Sequence, residues 1–169
     1  MTNVTATSPS KSPIIALFER AFALLDSVPY WFLAIPLRIG AAAVFWLSGQ
    51  SHLANWDTTI ELFTEEYKVP LLPPDLAAIM AVSIEVAAPI LLVAGLFTRL
   101  TALVLLGMTT VIEVFVYPQA WPTHIQWVAM LLVLLCRGPG WLSLDHLMGL
   151  LAGRGAKAVS YTHLTLPTN

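Results

Sequence analysis

Three ionisable side chains, Arg38, Glu85 and Glu113, stand well inside long apolar runs of this chain, and His52 and His124 stand near the ends of two such runs. A charge held in hydrocarbon costs roughly 2.5–3.5 kcal/mol on insertion scales. Each of the three is therefore expected to face a protein interior and to have a partner. Positions three, four and seven apart share one face of a helix. Around Arg38 that face carries Ala34, Ala41, Ala42 and Phe45; around Glu85 it carries Ala78, Ala81, Ala88 and Pro89. Around Glu113 it carries Thr109, Thr110 and Tyr117. Small residues line close helix contacts in membranes, which turns all three ionisable groups toward a bundle interior.

Their depths suggest partners. At 1.5 Å per residue, Arg38 lies about 12 Å, Glu85 about 18 Å and Glu113 about 21 Å from one membrane face. An Arg38–Glu85 ion pair is expected, because the arginine side chain can close that gap. Glu113 falls level with His124 and Trp127, and His52 ends its run near the same surface. An outer cluster of Glu113, His124, His52 and Tyr117 follows. One guanidinium cannot neutralise two carboxylates, so the second is protonated, paired with a protonated histidine, or open to water. A proton relay or a ligand site uses such an arrangement. The expected buried polar centre is thus Arg38, Glu85, Glu113 and His124, with His52, Tyr117 and Trp127 as candidate ligand-flanking residues. A pin fixing helix register remains the alternative for Arg38 with Glu85, and a hydrogen-bonded core pair for Glu113 with His124.

His52, His124 and Glu113 offer nitrogen and oxygen to a metal, and Met80, Met108 and Met130 offer thioethers suited to Cu(I). No HxxxH or MxxM spacing supports them, and methionines in apolar helices usually fill packing space, so no metal site is assigned. Cys136 is the only cysteine, which excludes dithiol chemistry within one chain; it reads as a small buried apolar residue. No phosphate-cradling glycine loop or Ser/His/Asp spacing is present.

The elements that position these residues are long apolar helices. The chain is 57% hydrophobic and 11% charged, with mean hydropathy +0.77, whereas a soluble domain carries about 25% charged residues. Its net charge of −2, without a basic cluster, argues against nucleic acid as a partner. Segments of crossing length run from about Tyr30 to Gly49, Leu76 to Phe97, Leu100 to Tyr117 and Thr123 to Cys136. The predicted fold is an all-α membrane protein, a four-transmembrane-helix bundle with interfacial amphipathic helices at both ends. Those flanking helices are Ile14 to Leu25, and Trp141 to Leu151 with Ser143 as cap. Between spans one and two, Asp57 to Tyr67 is expected to form an amphipathic helix ended by prolines. Residues 1–13 read as a disordered tail, 14–151 as one membrane domain, and 152–169 as a second tail. The last stretch, from Ser160, reads as foreign to the protein, and His163 is given no role. Lys11, Arg20, Arg99, Arg137, Arg154 and Lys157 fall on one side of the four spans, which predicts both termini in the cytoplasm.

Arg38 in span one, Glu85 followed by Pro89, the run Gly95 to Arg99, and Gly138-Pro-Gly140 before Ser143 and Asp145 together resemble the DoxX family of small four-helix bacterial inner-membrane proteins. The likeness covers about Trp31 to Leu151. The stretches Asn55 to Thr59, Glu66 to Pro74 and Tyr117 to His124 are similar to a branch encoded beside enzymes that make copper-binding modified peptides. The resemblance implies a multi-pass inner-membrane protein serving as an accessory component of a copper or redox-stress system, or of modified-peptide maturation. Some relatives are tied to thiosulfate–quinone oxidation or thiol balance; this chain lacks the paired cysteines for the latter. The alternative is a quinone-linked oxidoreductase subunit in which Glu113 or His124 handles a proton and Trp127 and Tyr117 flank the ring. A small transporter for metal, proton or peptide is the third reading. Whether the chain is itself catalytic stays open. Quinone is the cofactor expected ahead of copper, and the partners expected are the lipid bilayer, membrane or biosynthetic proteins, and a second copy of the chain.

Overall fold

The computed structural model describes residues 12–153. Residues 1–11 and 154–169, which hold most of both expected tails and the stretch from Ser160 with His163, lie outside the described residues. The chain divides into two compact units between Tyr30 and Trp31. In the first, helix α1 spans Pro13–Asp26. Proline opens it because the fixed φ suits a first turn and no helical acceptor awaits its missing N–H. None of its residues is buried. Phe18 and Phe22, one turn apart, stack with ring centroids at 6.5 Å, and with Ile14 and Leu17 they leave an apolar face exposed. A helix lying on a membrane surface has this character.

The second unit is a bundle. Its long helices are α2 (Tyr30–Ala54), α4 (Pro74–Ala94), α5 (Thr98–Val111) and α6 (Trp121–Arg137). The short α3 (Trp56–Glu61) runs into a π-helical turn, Leu62–Tyr67, and α5 runs into another, Ile112–Val116. A 3-10 turn, Pro118–Ala120, leads into α6, and α7 (Leu144–Leu151) follows it. Among the described residues, four stretches, Tyr30–Ala54, Pro74–Ala94, Thr98–Val116 and Pro118–Arg137, are long and apolar enough to cross a membrane. The protein is therefore an all-α, four-span membrane protein. The first span runs five residues past the expected Gly49 and takes His52 into its last turn. The fourth begins at Pro118 rather than Thr123, because Pro122 sits in the first helical turn, where it is tolerated.

Packing follows the logic of a lipid solvent. Ile39, Leu47, Leu100 and Leu103 are exposed on the bundle surface, where acyl chains solvate them. The interior is lined by Ala41, Ala42, Ala88 and Ala102, closed around Phe45, Leu92, Leu105, Leu131 and Leu134. Small residues let helix backbones approach, and that close contact replaces the water-driven effect which lipid does not supply. The α2–α4 crossing shows the limit. A Cβ on Gly49 would stand 3.0 Å from the Glu85 Cβ and 3.2 Å from the Glu85 carbonyl oxygen. That carbonyl has lost its helical donor, since Pro89, four residues on, carries no N–H.

At the end of the bundle that holds α7, Arg38 ties α2 to the last turn of α4 and to the turn between α6 and α7. It is 6% exposed. Its Nε donates to the Leu92 carbonyl at 2.8 Å, and Nη1 donates to Leu142 at 2.7 Å and Pro139 at 3.3 Å. Nη2 donates to the Val93 carbonyl. Leu92 and Val93 belong to the last turn of α4, at the negative end of the helix dipole, and the Leu92 carbonyl also accepts from the Gly95 N–H at 3.0 Å. Asp145 completes the joint: its carboxylate accepts from the N–H groups of Phe97 and Thr98 at 2.7 and 2.9 Å, and its own N–H donates to the Gly95 carbonyl at 2.9 Å. Gly95 sits at φ +67°, and a Cβ there would meet Ser143 at 2.6 Å. Ser143 caps α7, accepting from the His146 N–H at 3.2 Å.

Candidate functional site

The opposite end of the bundle, where α3 lies, is hollow. A cavity of about 460 Å³ opens among α2, α4, α5, α6 and the α3 segment. Its polar lining is Ser48, His52, Tyr67, Glu85, Tyr117 and His124, set among apolar residues that include Phe45 and Trp127.

Two imidazole–carboxylate pairs organise it. Glu85, on α4 and 3% exposed, accepts from the Ser48 hydroxyl at 2.8 Å and meets His52 Nδ1 at 2.7 Å. Ser48 and His52 lie one turn apart on α2, so one helix face presents both to the same carboxylate. His124, in the first turns of α6, is buried and meets Glu113 Oε2 through Nδ1 at 2.5 Å. The Glu113 side chain is 31% exposed, so this pair reaches from the cavity wall toward the surface. When Nδ1 carries the proton shared with a carboxylate, Nε2 is left as an acceptor. Both pairs place Nδ1 against a carboxylate oxygen.

Aromatic rings fix the imidazoles. Trp127 lies 4.7 Å from His124 and 5.8 Å from Phe45. On the other wall, His52 meets Phe63 at 6.1 Å and Tyr67 at 6.3 Å, edge to face. Phe63 packs on Ala77 and Ala78 of α4, which holds the α3 segment over the cavity. Tyr67 meets the Tyr117 ring at 5.7 Å, and the Tyr117 hydroxyl donates to the exposed Glu66 carboxylate. Burial first, then that contact with Glu66, pushes the Tyr117 phenol well above the usual tyrosine range. Tyr67 is also raised by burial, against a lowering from its hydrogen bond to Tyr117.

The structure brings together Glu85, His124, His52, Tyr117 and Trp127 around one cavity, with Glu113 behind His124. Arg38 is elsewhere. The expected Arg38–Glu85 ion pair does not form: Arg38 is level with Leu92 and Val93, seven to eight residues, or about 11 Å along α4, from Glu85. The chain after α6 folds back and supplies the carbonyls that Arg38 needs, which helix periodicity does not report. His52, placed with Glu113 and His124 by depth, pairs with Glu85 instead. Ser48 and Tyr67 were not singled out by sequence reasoning. Ser48 was findable, lying one turn before His52, whereas nothing in the α3 segment's sequence signals that Tyr67 folds over the cavity. Cys136, expected to be buried, is exposed. Among the described residues, no three His, Cys, Asp or Glu side chains group so as to hold a metal ion.

Fold and cavity define a polytopic membrane protein with a ligand-sized, mostly apolar chamber that holds a few polar side chains at one end and a hydrogen-bonded joint at the other. The DoxX family model matches residues 33–118, and the chain belongs to that family. No curated protein and no solved structure matches it.

Proposed function

We propose that this DoxX protein binds a lipid-soluble ring molecule of the quinone class in its cavity and serves as the binding subunit of a membrane redox system. One observation carries the reading: the two imidazoles lining the cavity are each held through Nδ1 by a carboxylate, at 2.7 and 2.5 Å. Each pair offers Nε2 to a ring hydroxyl, and a carboxylate behind it stabilises the imidazolium formed on proton transfer. Two such acceptors suit a ring with two hydroxyls. Phe45 and Trp127 supply flat apolar walls, as cofactor sites do. The residues of the polar centre then divide: Glu85, His52, Glu113 and His124 serve the ligand, and Arg38 serves the architecture. Placement in a bacterial inner membrane, with both termini cytoplasmic, is supported by the distribution of Lys and Arg. Service in a copper or redox-stress system, or in modified-peptide maturation, is supported by the stretches Asn55 to Thr59, Glu66 to Pro74 and Tyr117 to His124.

Native mass spectrometry of the detergent-purified protein tests this. Wild type is expected to retain a small organic adduct that His52→Phe with His124→Phe loses while staying folded. An adduct-free wild type, or one whose adduct survives the double substitution, would sink the reading.

A further inference from the structure

Between α4 and α5 the cavity lining reaches the bundle surface, a gap marked by lining residues that are also exposed there: Met80 at 46%, Val104 at 41% and Val111 at 37%. Gly107 lies among them, exposed, and a Cβ added to it would meet nothing within 4 Å. Both α4 and α5 are membrane spans, so this gap faces acyl chains. Behind it lie Glu85 with His52, and His124.

We infer that the ligand enters and leaves sideways, from the bilayer, through the gap between α4 and α5 at Gly107, and that it carries an aliphatic tail which stays in that gap while the ring reaches the imidazoles. This rests on the proposed function insofar as the imidazole pairs are the floor for the ring. The polarity gradient carries the argument. On the α4–α5 side the exposed lining residues Met80, Val104 and Val111 carry no polar side chain, and the polar lining residues come from α2, the α3 segment, Glu85 on α4, Tyr117 and His124 on α6. A water-borne substrate would have to cross an apolar rim to reach them. A membrane amphiphile meets matching chemistry at both ends: hydrocarbon against the rim, ring oxygens against His52 and His124. The missing side chain at position 107 keeps the gap wide enough for a chain of methylenes.

The test uses full-length protein in phospholipid nanodiscs and two probes, 2,3-dimethoxy-5-methyl-1,4-benzoquinone with and without a decyl chain. Gly107→Phe places a ring in open space and closes the gap; Val104→Trp narrows it from the lipid side; Leu103→Trp, exposed and outside the cavity lining, is the size control. Relative to wild type, Gly107→Phe or Val104→Trp is expected to weaken decyl-probe binding at least tenfold, with the tailless probe changed less than threefold and Leu103→Trp inert. Equal effects on both probes, or no effect of either gap variant on the decyl probe, would overturn the lateral route while leaving the ring site standing. Failure of wild type to bind either probe would overturn the ring site and the route together.

Discussion

Arg38 shows what a buried charge can do without a carboxylate in contact. A guanidinium has five N–H donors in one plane, and Arg38 directs donors to four carbonyls on two segments. Without the guanidinium the Val93, Pro139 and Leu142 carbonyls lose this donor, at about 1–3 kcal/mol for each left unsatisfied, while the Leu92 carbonyl keeps the Gly95 N–H. Arg38→Leu is therefore expected to lower stability by at least about 2 kcal/mol, or roughly 4–8 °C in the thermal midpoint. Glu113→Gln, at a partly exposed pair, is expected to cost less than half as much. Thermal unfolding of the two variants in one detergent decides it; an Arg38→Leu midpoint within 1 °C of wild type would remove the structural role. That Arg38 points inward was legible, because the Ala34, Ala41 and Ala42 stripe fixes the face. Its partners were not, because Pro139 and Leu142 come from a turn about one hundred residues away in sequence. Periodicity reads a face. It does not read which carbonyls a distant turn leaves free.

The elements repeat this division between what a helix dictates and what a tertiary contact dictates. The four spans follow from apolar runs of crossing length, and Ser143 was readable as a cap from its place before an apolar run. The two π-helical turns, Leu62–Tyr67 and Ile112–Val116, were not. A π turn admits one extra residue to the helical repeat and is favoured by contacts outside it; here both lie where the α3 segment meets the end of α5. The Tyr117 N–H donates to the Ile112 carbonyl at 2.8 Å, closing the second turn, and Tyr117 then reaches Tyr67 and Glu66. This strap has a pH signature. Both phenols are held above their usual range by burial first, so the folded protein keeps protons that the unfolded chain releases near pH 10. Their contribution is complete below that pH and is lost progressively as pH rises from there through the raised folded-state values. The thermal midpoint is expected to fall between pH 9.5 and 11.5, and to fall less in Tyr117→Phe. Parallel curves for the two proteins would show that the strap does not depend on the phenols.

At the scale of the molecule, the bundle divides labour between its ends. Arg38, Gly95, Gly140, Ser143 and Asp145 converge at the α7 end, where side chains and carbonyls close the joint. The cavity and both imidazole pairs occupy the α3 end. α5 joins them: Thr98, held by Asp145, and Glu113, held to His124, lie about 22 Å apart along it. If the joint only supports the chamber, damage at the two ends must be energetically independent, since sites beyond about 10 Å with no shared partner add to within roughly 0.5 kcal/mol. Asp145→Asn removes a charge from the start of α5 and should cost about 1 kcal/mol. Combined with Glu113→Gln, it should give the sum of the two single losses in a denaturant titration. It should also leave benzoquinone binding, per folded molecule, at the value of Glu113→Gln alone. A coupling above about 1 kcal/mol, with a matching change in binding, would instead make α5 a two-state element biased from both ends. The α7 end would then regulate the chamber instead of merely supporting it.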